Sequence, residues 1–360
     1  MRFFLLPLHL VSKYPNVISQ PIDKRTLDAA RTLLDDSERI VILTHMSPDG
    51  DAIGSSTAMQ RMLMSVGKEA RIIIPDMLPA QLRRVPGAKE AVDATRYPDF
   101  AAQLIADADL IICLDFNEPG RTGNRLGTLI TTSEAPKLLI DHHLHPADFA
   151  RVVISHPEMS STCYLLFKVF CGLGLFGNID TKMAESLLTG MMTDTGNFSY
   201  NAADPEIYLV VAELMRKGAD KDRIYREQFE THSLDSMRLN AYAISERMEV
   251  WPADGAALIT LSREELNRFH YAKGDTEGLV NRPLAIPGVV YSAFLREEDD
   301  FVKVSMRSVG DFPVNVLCKE YFGGGGHLNA AGGEFKGTLA EAAEKFRSLL
   351  TTNKEKYIKQ

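Results

Sequence analysis

The sequence predicts an α/β protein: a parallel-sheet N-terminal domain with helices on both faces, followed by a smaller α/β C-terminal domain. Three observations support this prediction. Up to about residue 219, short apolar runs alternate with stretches of helical periodicity, which is typical of a parallel sheet with helical crossovers. Beyond residue 251 the strands alternate more clearly between apolar and polar residues. The chain has 360 residues, 45% of them apolar, which is enough for two domains with separate cores.

In the first domain, each predicted strand is a short apolar run, and helical periodicity fills the segments between the strands. Gly67 stands where the C-terminal cap of the second helix is expected. The strands are predicted at residues 40–44, 71–74, 110–114 and 137–140, and the helices at 22–34, 53–66, 161–170, 182–192 and 205–217.

The composition changes after residue 219. Residues 220–250 are polar and read as one or two helices without strands, which is typical of a connector. Ser262 and Glu265 have the spacing of a capping box that opens a short helix. Further strands are predicted at residues 256–261, 289–296 and 301–307, and helices at 314–321 and 339–350. We therefore expect an N-terminal extension (1–21), a first domain (22–219), a helical linker (220–250) and a second domain (251–360).

Composition limits the classes of function. A net charge of −8 gives no support for a surface that binds long nucleic acids, although a small phosphorylated substrate remains compatible with it. No run of 18 apolar residues is present, and the four cysteines form no Cys-x-x-Cys pair. Residues 1–11 imitate a signal peptide but lack a small-residue cleavage site, so we interpret them as an overhang. These features predict a cytoplasmic protein with no membrane partner.

Potential metal ligands follow three of the four clearest strands. His45, Asp49 and Asp51 follow the first strand, Asp115 follows the third, and Asp141-His142-His143 follow the fourth. Asp194 ends a helical stretch. Because ligands bind beyond the carboxyl ends of parallel strands, one edge of the sheet can bring all of these side chains together.

The ligand types indicate the kind of metal. Carboxylates with imidazoles and no thiolate favour Mn²⁺, Mg²⁺, Fe²⁺ or Co²⁺ over a structural zinc ion. Four or five carboxylates at one edge would repel one another unless roughly two divalent cations neutralise them. Such a pair of cations lowers the pKa of a bridging water and clamps phosphate oxygens, so the pattern predicts phosphoryl transfer to water. Each of these short motifs alone also has a simpler structural explanation. Asp-Gly-Asp is typical of a turn, and a His-His pair is typical of an exposed surface.

Five segments together resemble the motifs of the DHH phosphoesterase family. They are THMSPDGDAIGS at 44–55, CLD at 113–115, IDHH at 140–143, MTDTG at 192–196 and the glycine-rich YFGGGGHLNAAGG at 321–333. The first four resemble the motifs of the catalytic domain, and the last resembles the DHH-associated C-terminal domain. The resemblance spans about residues 22–350.

The resemblance implies roles for individual residues. His45, Asp49 and Asp115 would hold one metal ion, and Asp51, Asp115, His142 and Asp194 would hold the other, with Asp115 bridging. His143 would contact the substrate phosphate or assist the leaving oxygen, and Asp141 would orient a ligand imidazole. Two divalent ions are implied, with Mn²⁺ first and Mg²⁺ or Co²⁺ as alternatives.

The second domain is interpreted as the substrate selector. Backbone N–H groups of Gly324, Gly325 and Gly326, followed by His327, can approach a phosphate because no Cβ intervenes. Arg307 at a strand end and Arg121 after Asp115 are candidate phosphate contacts, although Arg307 is equally typical of an exposed strand end. The resemblance favours a functional Arg307 and an active-site cleft between the domains.

Within the family, the layout most resembles the group of bifunctional short-oligoribonucleases and 3′-phosphoadenosine 5′-phosphate phosphatases. We therefore expect a small nucleotide or short RNA oligomer as substrate, and no long duplex. An exopolyphosphatase or pyrophosphatase, and a cyclic or linear dinucleotide phosphodiesterase, are the alternative enzymes. A regulator that binds nucleotides without catalysis ranks below them, because no expected ligand is missing. The sequence does not fix the oligomeric state, and a homodimer is compatible with it.

Overall fold

The computed structural model describes residues 19–358. The apolar start of the predicted N-terminal extension, residues 1–18, lies outside the described residues. The chain divides into two compact units, Met1–Thr231 and His232–Gln360, and the boundary falls inside the predicted helical linker. Among the described residues, no helix is both long and apolar enough to cross a bilayer.

The N-terminal unit is built on a six-stranded sheet in the order β3-β2-β1-β4-β5-β6. All of its neighbouring strands are parallel, which confirms the predicted fold class. Strand order reverses between β1 and β4, the position where open α/β sheets bind ligands. The strands are β1 Arg39–Leu43, β2 Glu69–Ile74, β3 Val92–Asp93, β4 Leu110–Leu114, β5 Lys137–Asp141 and β6 Val152–Ser155.

Helices cover both faces of this sheet. On one face they enclose a large core that includes Ile42, Ile112 and Ile140. On the other face a smaller core contains Val41 and Ile111. The helices are α1 Lys24–Asp36, α2 Gly50–Ser65, α3 Pro98–Asp107, α4 Asn124–Thr132, α5 Thr162–Gly172, α6 Thr181–Asp194, α7 Pro205–Arg216 and α8 Lys221–Phe229.

Four elements of this unit were not predicted from the sequence: the two-residue strand β3, the helices α3 and α4, and strand β6. The helices α3 and α4 supply the smaller core, where Ile105 and Ile130 pack on the sheet. Both helices have only 9 or 10 residues, so each presents few turns of periodicity. Strand β6 has four residues at the sheet edge and alternates between buried and less buried positions, which gives a weak apolar signal.

The C-terminal unit begins with α9 Leu234–Glu246 and contains a second six-stranded sheet in the order β11-β12-β10-β9-β8-β7. Its pairs are antiparallel except β8 with β9. The predicted capping box is present at Ser262 and Glu265. The remaining elements are β7 Met248–Trp251, β8 Ala256–Leu261, α10 Arg263–Arg268, β9 Tyr291–Glu297, β10 Val302–Ser308, α11 Val314–Tyr321, β11 Gly325–His327, β12 Ala330–Phe335, α12 Leu339–Ser348 and α13 Leu350–Tyr357.

Candidate metal centre

The carboxyl ends of β1, β4 and β5 carry the candidate ligands of the N-terminal unit. These three strands are neighbours in the sheet, so the residues that follow them meet at one edge. Asp115, directly after the central strand β4, has φ +66°, a left-handed conformation that is uncommon for a residue with a Cβ. This backbone geometry is the kind of local strain that concentrates at functional sites.

Glycines bring α2 close to α6 and add two more carboxylates to this edge. A Cβ at Gly54 would overlap the carbonyl oxygen of Ser186, and one at Gly190 would lie 2.6 Å from Oδ1 of Asp51. The close contact places Asp51, in the first turn of α2, near Asp194 at the end of α6. Packing of α2 against α6 therefore adds the carboxylates of Asp51 and Asp194 to those at the strand ends.

A first group of ligand atoms consists of His45, Asp49 and Asp115, all within 4.8 Å of one another. The Nε2 atom of His45 lies 3.4 Å from Oδ2 of Asp115 and 3.9 Å from Oδ1 of Asp49. Asp49 is the exposed member and also caps α2, where its Oδ1 accepts hydrogen bonds from the N–H groups of Asp51 and Ala52.

A second group consists of the buried side chains of Asp51, Asp115 and His142. The Nε2 atom of His142 lies 3.6 Å from Oδ1 of Asp115, 3.9 Å from Oδ2 of Asp51 and 3.3 Å from Oδ2 of Asp194. The structure therefore brings all six of the expected metal ligands together, and Asp115 belongs to both groups.

Backbone carbonyls orient the two imidazoles. Nδ1 of His45 lies 2.8 Å from the carbonyl oxygen of Met46, and Nδ1 of His142 lies 3.2 Å from that of Met159. A proton on Nδ1 donates to each carbonyl and directs Nε2 at the carboxylates, where Nε2 can carry a second proton or bind a cation. Imidazole ligands of metals are usually fixed by such a second hydrogen bond.

Thr162, at the start of α5, contacts two of the buried carboxylates, and it was not singled out in the sequence. The backbone N–H groups of Thr162 and Cys163 donate to Asp51, at 2.6 and 2.8 Å. The Thr162 hydroxyl donates to Oδ1 of Asp115 at 3.0 Å. The run Ser160-Ser161-Thr162 signals a helix start, which Ser161 caps, but only the tertiary fold brings that start to Asp51.

Asp141 is fully buried at the end of β5 and lies against His143. Its Oδ1 is 2.7 Å from Nδ1 of His143, whereas its Oδ2 is a buried oxygen without a hydrogen-bond partner among the described residues. His143 Nδ1 also lies 3.8 Å from Oδ1 of Asp115. The sequence assigned Asp141 to orient a ligand imidazole. Asp141 forms its hydrogen bond with His143, the residue expected to act on substrate, and its charge also acts on the ligand imidazole of His142.

The electrostatics reflect a crowd of buried carboxylates. Burial, and then the charge of Asp115, raise the pKa of Asp51 to about 7. Burial opposes the charge on His45, but its contact with Asp115 and the charges of Asp49 and Asp115 outweigh this effect and raise the pKa of His45 to about 9. Burial likewise opposes the charge on Asp115, yet its contacts with His45 and the other imidazoles lower the pKa of its carboxyl. Protons on the imidazoles thus balance the negative charge, a task that cations can also perform.

The donor set fits divalent cations. Oxygen and imidazole donors without thiolates suit Mn²⁺, Mg²⁺ and related ions. Nitrogen and oxygen atoms 3.3–3.9 Å apart are too far for strong N–H···O hydrogen bonds, which are about 2.7–3.2 Å long. Two ligands that each lie about 2.1 Å from one ion, at right angles, are about 3 Å apart, so modest adjustment would close these groups around cations.

Arg121 lies beside this site. Its carbonyl oxygen accepts a hydrogen bond of 2.8 Å from the N–H of Met46, which ties the loop after β4 to the loop after β1. The positive charge of Arg121 acts on His45 and offsets part of the rise in the pKa of His45. The expected basic group is therefore close to the carboxylate cluster.

In the C-terminal unit, the candidate substrate residues lie on β10 and at β11, the two strands that flank β12. Arg307 of β10 is opposite Ala330 of β12, which in turn is opposite His327 of β11. A Cβ at Gly324 would overlap the Gly332 carbonyl, and Gly326 has φ +143° with the Ala330 carbonyl close by, so packing between strands already requires both glycines. Of the three predicted glycines, only Gly325 has open space where a side chain would be.

Comparisons with known proteins agree with this geometry. Residues 39–192 match the N-terminal domain of the DHH family, and residues 259–356 match the DHHA1 domain. The bifunctional oligoribonuclease and PAP phosphatase NrnA of Thermus thermophilus is 34% identical over 309 residues, which cover 85% of this chain and 87% of that protein.

Two further relatives have other names. A crystal structure of an exopolyphosphatase-related protein from Bacteroides fragilis is 46% identical, with a TM-score of 0.90, and the match covers 94% of this chain and 98% of that one. The cyclic-di-AMP phosphodiesterase PdeA of Listeria monocytogenes is 26% identical over 92% of this chain, which spans only 51% of PdeA. The predicted family is confirmed: this chain belongs to the DHH family and combines a DHH domain with a DHHA1 domain.

Proposed function

We propose that this protein is a metal-dependent phosphoesterase that hydrolyses short oligoribonucleotides and 3′-phosphoadenosine 5′-phosphate. The observation that carries the proposal is the convergence of four aspartates and two oriented imidazoles at one edge of the parallel sheet. The name and extensive similarity of the Thermus thermophilus relative support this substrate class.

In this proposal, one cation is held by His45, Asp49 and Asp115, and the other by Asp51, Asp115, His142 and Asp194. Asp115 is the shared ligand, since it belongs to both groups of converging atoms. A pair of divalent cations supplies an acidified water and stabilisation of charge on phosphate oxygens. Mn²⁺ is the ion we propose, with Mg²⁺ or Co²⁺ as substitutes.

The remaining residues of the centre position and transfer protons. Asp141 accepts a hydrogen bond from Nδ1 of His143, which orients the imidazole ring and leaves its Nε2 for the substrate. We propose that His143 donates a proton to the leaving oxygen, so that the departing alcohol does not leave as an alkoxide. Thr162 and the N–H groups that begin α5 hold Asp115 and Asp51 in place.

Arg121 and the C-terminal unit are proposed to bind the substrate. A guanidinium group can donate two parallel hydrogen bonds to one phosphate, which suits Arg121 and Arg307 for this role. His327 and the open backbone at Gly325 are further candidates, whereas Gly324 and Gly326 already have a packing role.

A second candidate function is hydrolysis of polyphosphate. The 46% identical Bacteroides fragilis structure is described as exopolyphosphatase-related, which favours this alternative specifically. A pair of divalent cations can promote hydrolysis of a phosphate ester in a nucleotide or of a phosphoanhydride in polyphosphate. The substrate panel below therefore distinguishes the two substrate classes.

A Mn²⁺-dependent substrate panel tests the proposal. We expect release of phosphate from 3′-phosphoadenosine 5′-phosphate and shortening of di- to pentaribonucleotides, with much slower release from pyrophosphate and polyphosphate. Cyclic and linear dinucleotides complete the panel, and the Asp115→Ala variant serves as the inactive control. Turnover of polyphosphate alone would favour the second candidate, and binding without turnover of any compound would indicate a nucleotide-binding regulator.

A further inference from the structure

The C-terminal unit contains a polar cavity of about 80 Å³ on the face of its sheet formed by β9 and β10. Three cationic side chains line it: Arg296, Lys303 and Arg307. One water needs about 10–15 Å³ of such space, so this cavity has room for a group of several heavy atoms. Val280, Phe294 and the acidic Glu277 also line it.

Strand register explains why the cations share this cavity. Lys303, Ser305 and Arg307 alternate along β10 and therefore point to the same face. Arg296 of β9 is directly opposite Lys303. The backbones of Lys303 and Arg307 are four residues apart, about 13 Å along a strand, so the cavity has two separated positive ends.

The end at Lys303 combines two cationic side chains, Arg296 and Lys303, with the nearby carboxylates of Glu298 and Glu277. Arg296 is fixed there: its Nε and Nη2 donate to Glu298 at 2.9 and 2.5 Å, its Nη1 lies 3.3 Å from the Thr276 hydroxyl, and it stacks on Tyr271. Lys303, by contrast, makes no hydrogen bond or ion pair with any described residue.

The surroundings of Lys303 act against its charge. Reduced hydration, and then the positive charges of Arg296 and Lys273, lower the pKa of Lys303, although Glu277 and Glu298 act in the opposite direction. Glu334 is opposite Lys303 on β12 but forms no ion pair with it among the described residues. An anion between Lys303 and Arg296 would relieve this repulsion.

We propose that the Lys303–Arg296 end of the cavity binds a non-scissile phosphate of an oligoribonucleotide, in addition to the phosphate assigned to Arg307. The inference rests on the proposed function and specifies its substrate. 3′-Phosphoadenosine 5′-phosphate has only two phosphates, one to be cleaved and one for Arg307. A 5′-phosphorylated trinucleotide has a third, so occupancy of this end distinguishes oligonucleotides from the mononucleotide.

The test compares the two substrates in the Lys303→Gln variant. We expect KM for the 5′-phosphorylated trinucleotide to rise about tenfold, as for loss of one charge-assisted hydrogen bond, while KM for 3′-phosphoadenosine 5′-phosphate changes less than about twofold. The dependence of trinucleotide binding on salt should also weaken by about one phosphate contact. Lys303 is exposed, so the fold should tolerate the change, and Lys303→Arg should restore binding.

Lys356→Gln is the matched control, because Lys356 is exposed on α13, which packs with the core away from this cavity. An unchanged KM for the trinucleotide, or an equal rise for both substrates, would overturn the inference. Fluorescence anisotropy of a labelled trinucleotide measures binding without turnover. If the wild-type protein hydrolyses 3′-phosphoadenosine 5′-phosphate and Lys303→Gln binds the trinucleotide as tightly as the wild type does, the inference alone is refuted. If the wild-type protein hydrolyses no nucleotide, the proposed function is refuted.

Discussion

Asp115 is the residue on which both proposed metal positions depend. It is almost fully buried, it adopts a left-handed backbone conformation, and its two oxygens face His45 on one side and His142 on the other. No other described residue belongs to both groups of converging ligand atoms around these imidazoles. Substitution here should therefore affect both cations at once.

We predict that Asp115→Ala lowers kcat by roughly 10³-fold or more, because several kcal/mol of charge stabilisation depend on the bound cations. His143→Ala should retain the metal and lower kcat by about 10²–10⁴-fold, the range for loss of a general acid. Steady-state kinetics with elemental analysis of each purified variant separates the two effects. Equal loss of metal in both variants would contradict this division of roles.

Thr162 acts on the centre through Asp115. Thr162→Val keeps the backbone N–H that binds Asp51 but removes the hydroxyl that donates to Asp115. We expect Mn²⁺ affinity, measured by isothermal titration calorimetry, to fall about 10–100-fold, as for other groups that support metal ligands. Thr162→Ser keeps the hydroxyl and should bind almost normally; identical affinities for the two variants would show that the hydroxyl has no such role.

At the scale of elements, the contact between α2 and α6 determines whether the ligands meet. Gly54 and Gly190 allow the two helices to approach, and the Thr57 hydroxyl donates to Ser186 across the contact at 3.0 Å. Asp51 is in the first turn of α2, whereas Asp194 is the last residue of α6. The spacing of the helices therefore controls the distance between these carboxylates.

Gly54→Ala should destabilise the protein by about 1–3 kcal/mol, the usual cost of overpacking, and should weaken metal binding. The added Cβ would overlap the Ser186 carbonyl, which belongs to a helix backbone and cannot rotate away. Urea unfolding measures the change. Gly177→Ala, where nothing lies within 4 Å, is the control and should stay within about 0.5 kcal/mol. Equal midpoints for the two variants would indicate that α2 and α6 are not closely packed.

At the scale of the whole molecule, metal binding should be linked to folding stability. A ligand at 100 times its Kd stabilises the native state by about 2.7 kcal/mol. For a unit of this size, that corresponds to a rise in Tm of roughly 5–10 °C.

We therefore expect Mn²⁺ to raise the Tm of chelator-treated protein by at least about 5 °C in differential scanning fluorimetry. Activity should be lost on chelation and return with the ion. The Asp115→Ala variant should show little shift, because both positions need this carboxylate. A shift of equal size in that variant would mean that the ions bind elsewhere.

Local sequence determined much of the architecture. Runs such as the one in β4 are apolar throughout because both faces of a parallel strand are covered, so the strands β1, β2, β4 and β5 could be predicted. The same runs located Asp115 and Asp141 at strand ends. The short helices α3 and α4 escaped prediction because their burial depends on the sheet that they cover more than on their own periodicity.

The sequence by itself determined the α/β class, the family and the side chains that could bind a metal, because strand ends and motif spacing are local properties. Only the tertiary structure decided that the start of α5 reaches Asp51, that Asp141 contacts His143, and that Lys303 shares a cavity with Arg296. Each of these contacts joins segments or neighbouring strands whose approach depends on helix packing and on sheet register. Those are set by the fit of the whole core and leave no pattern in any single stretch of sequence.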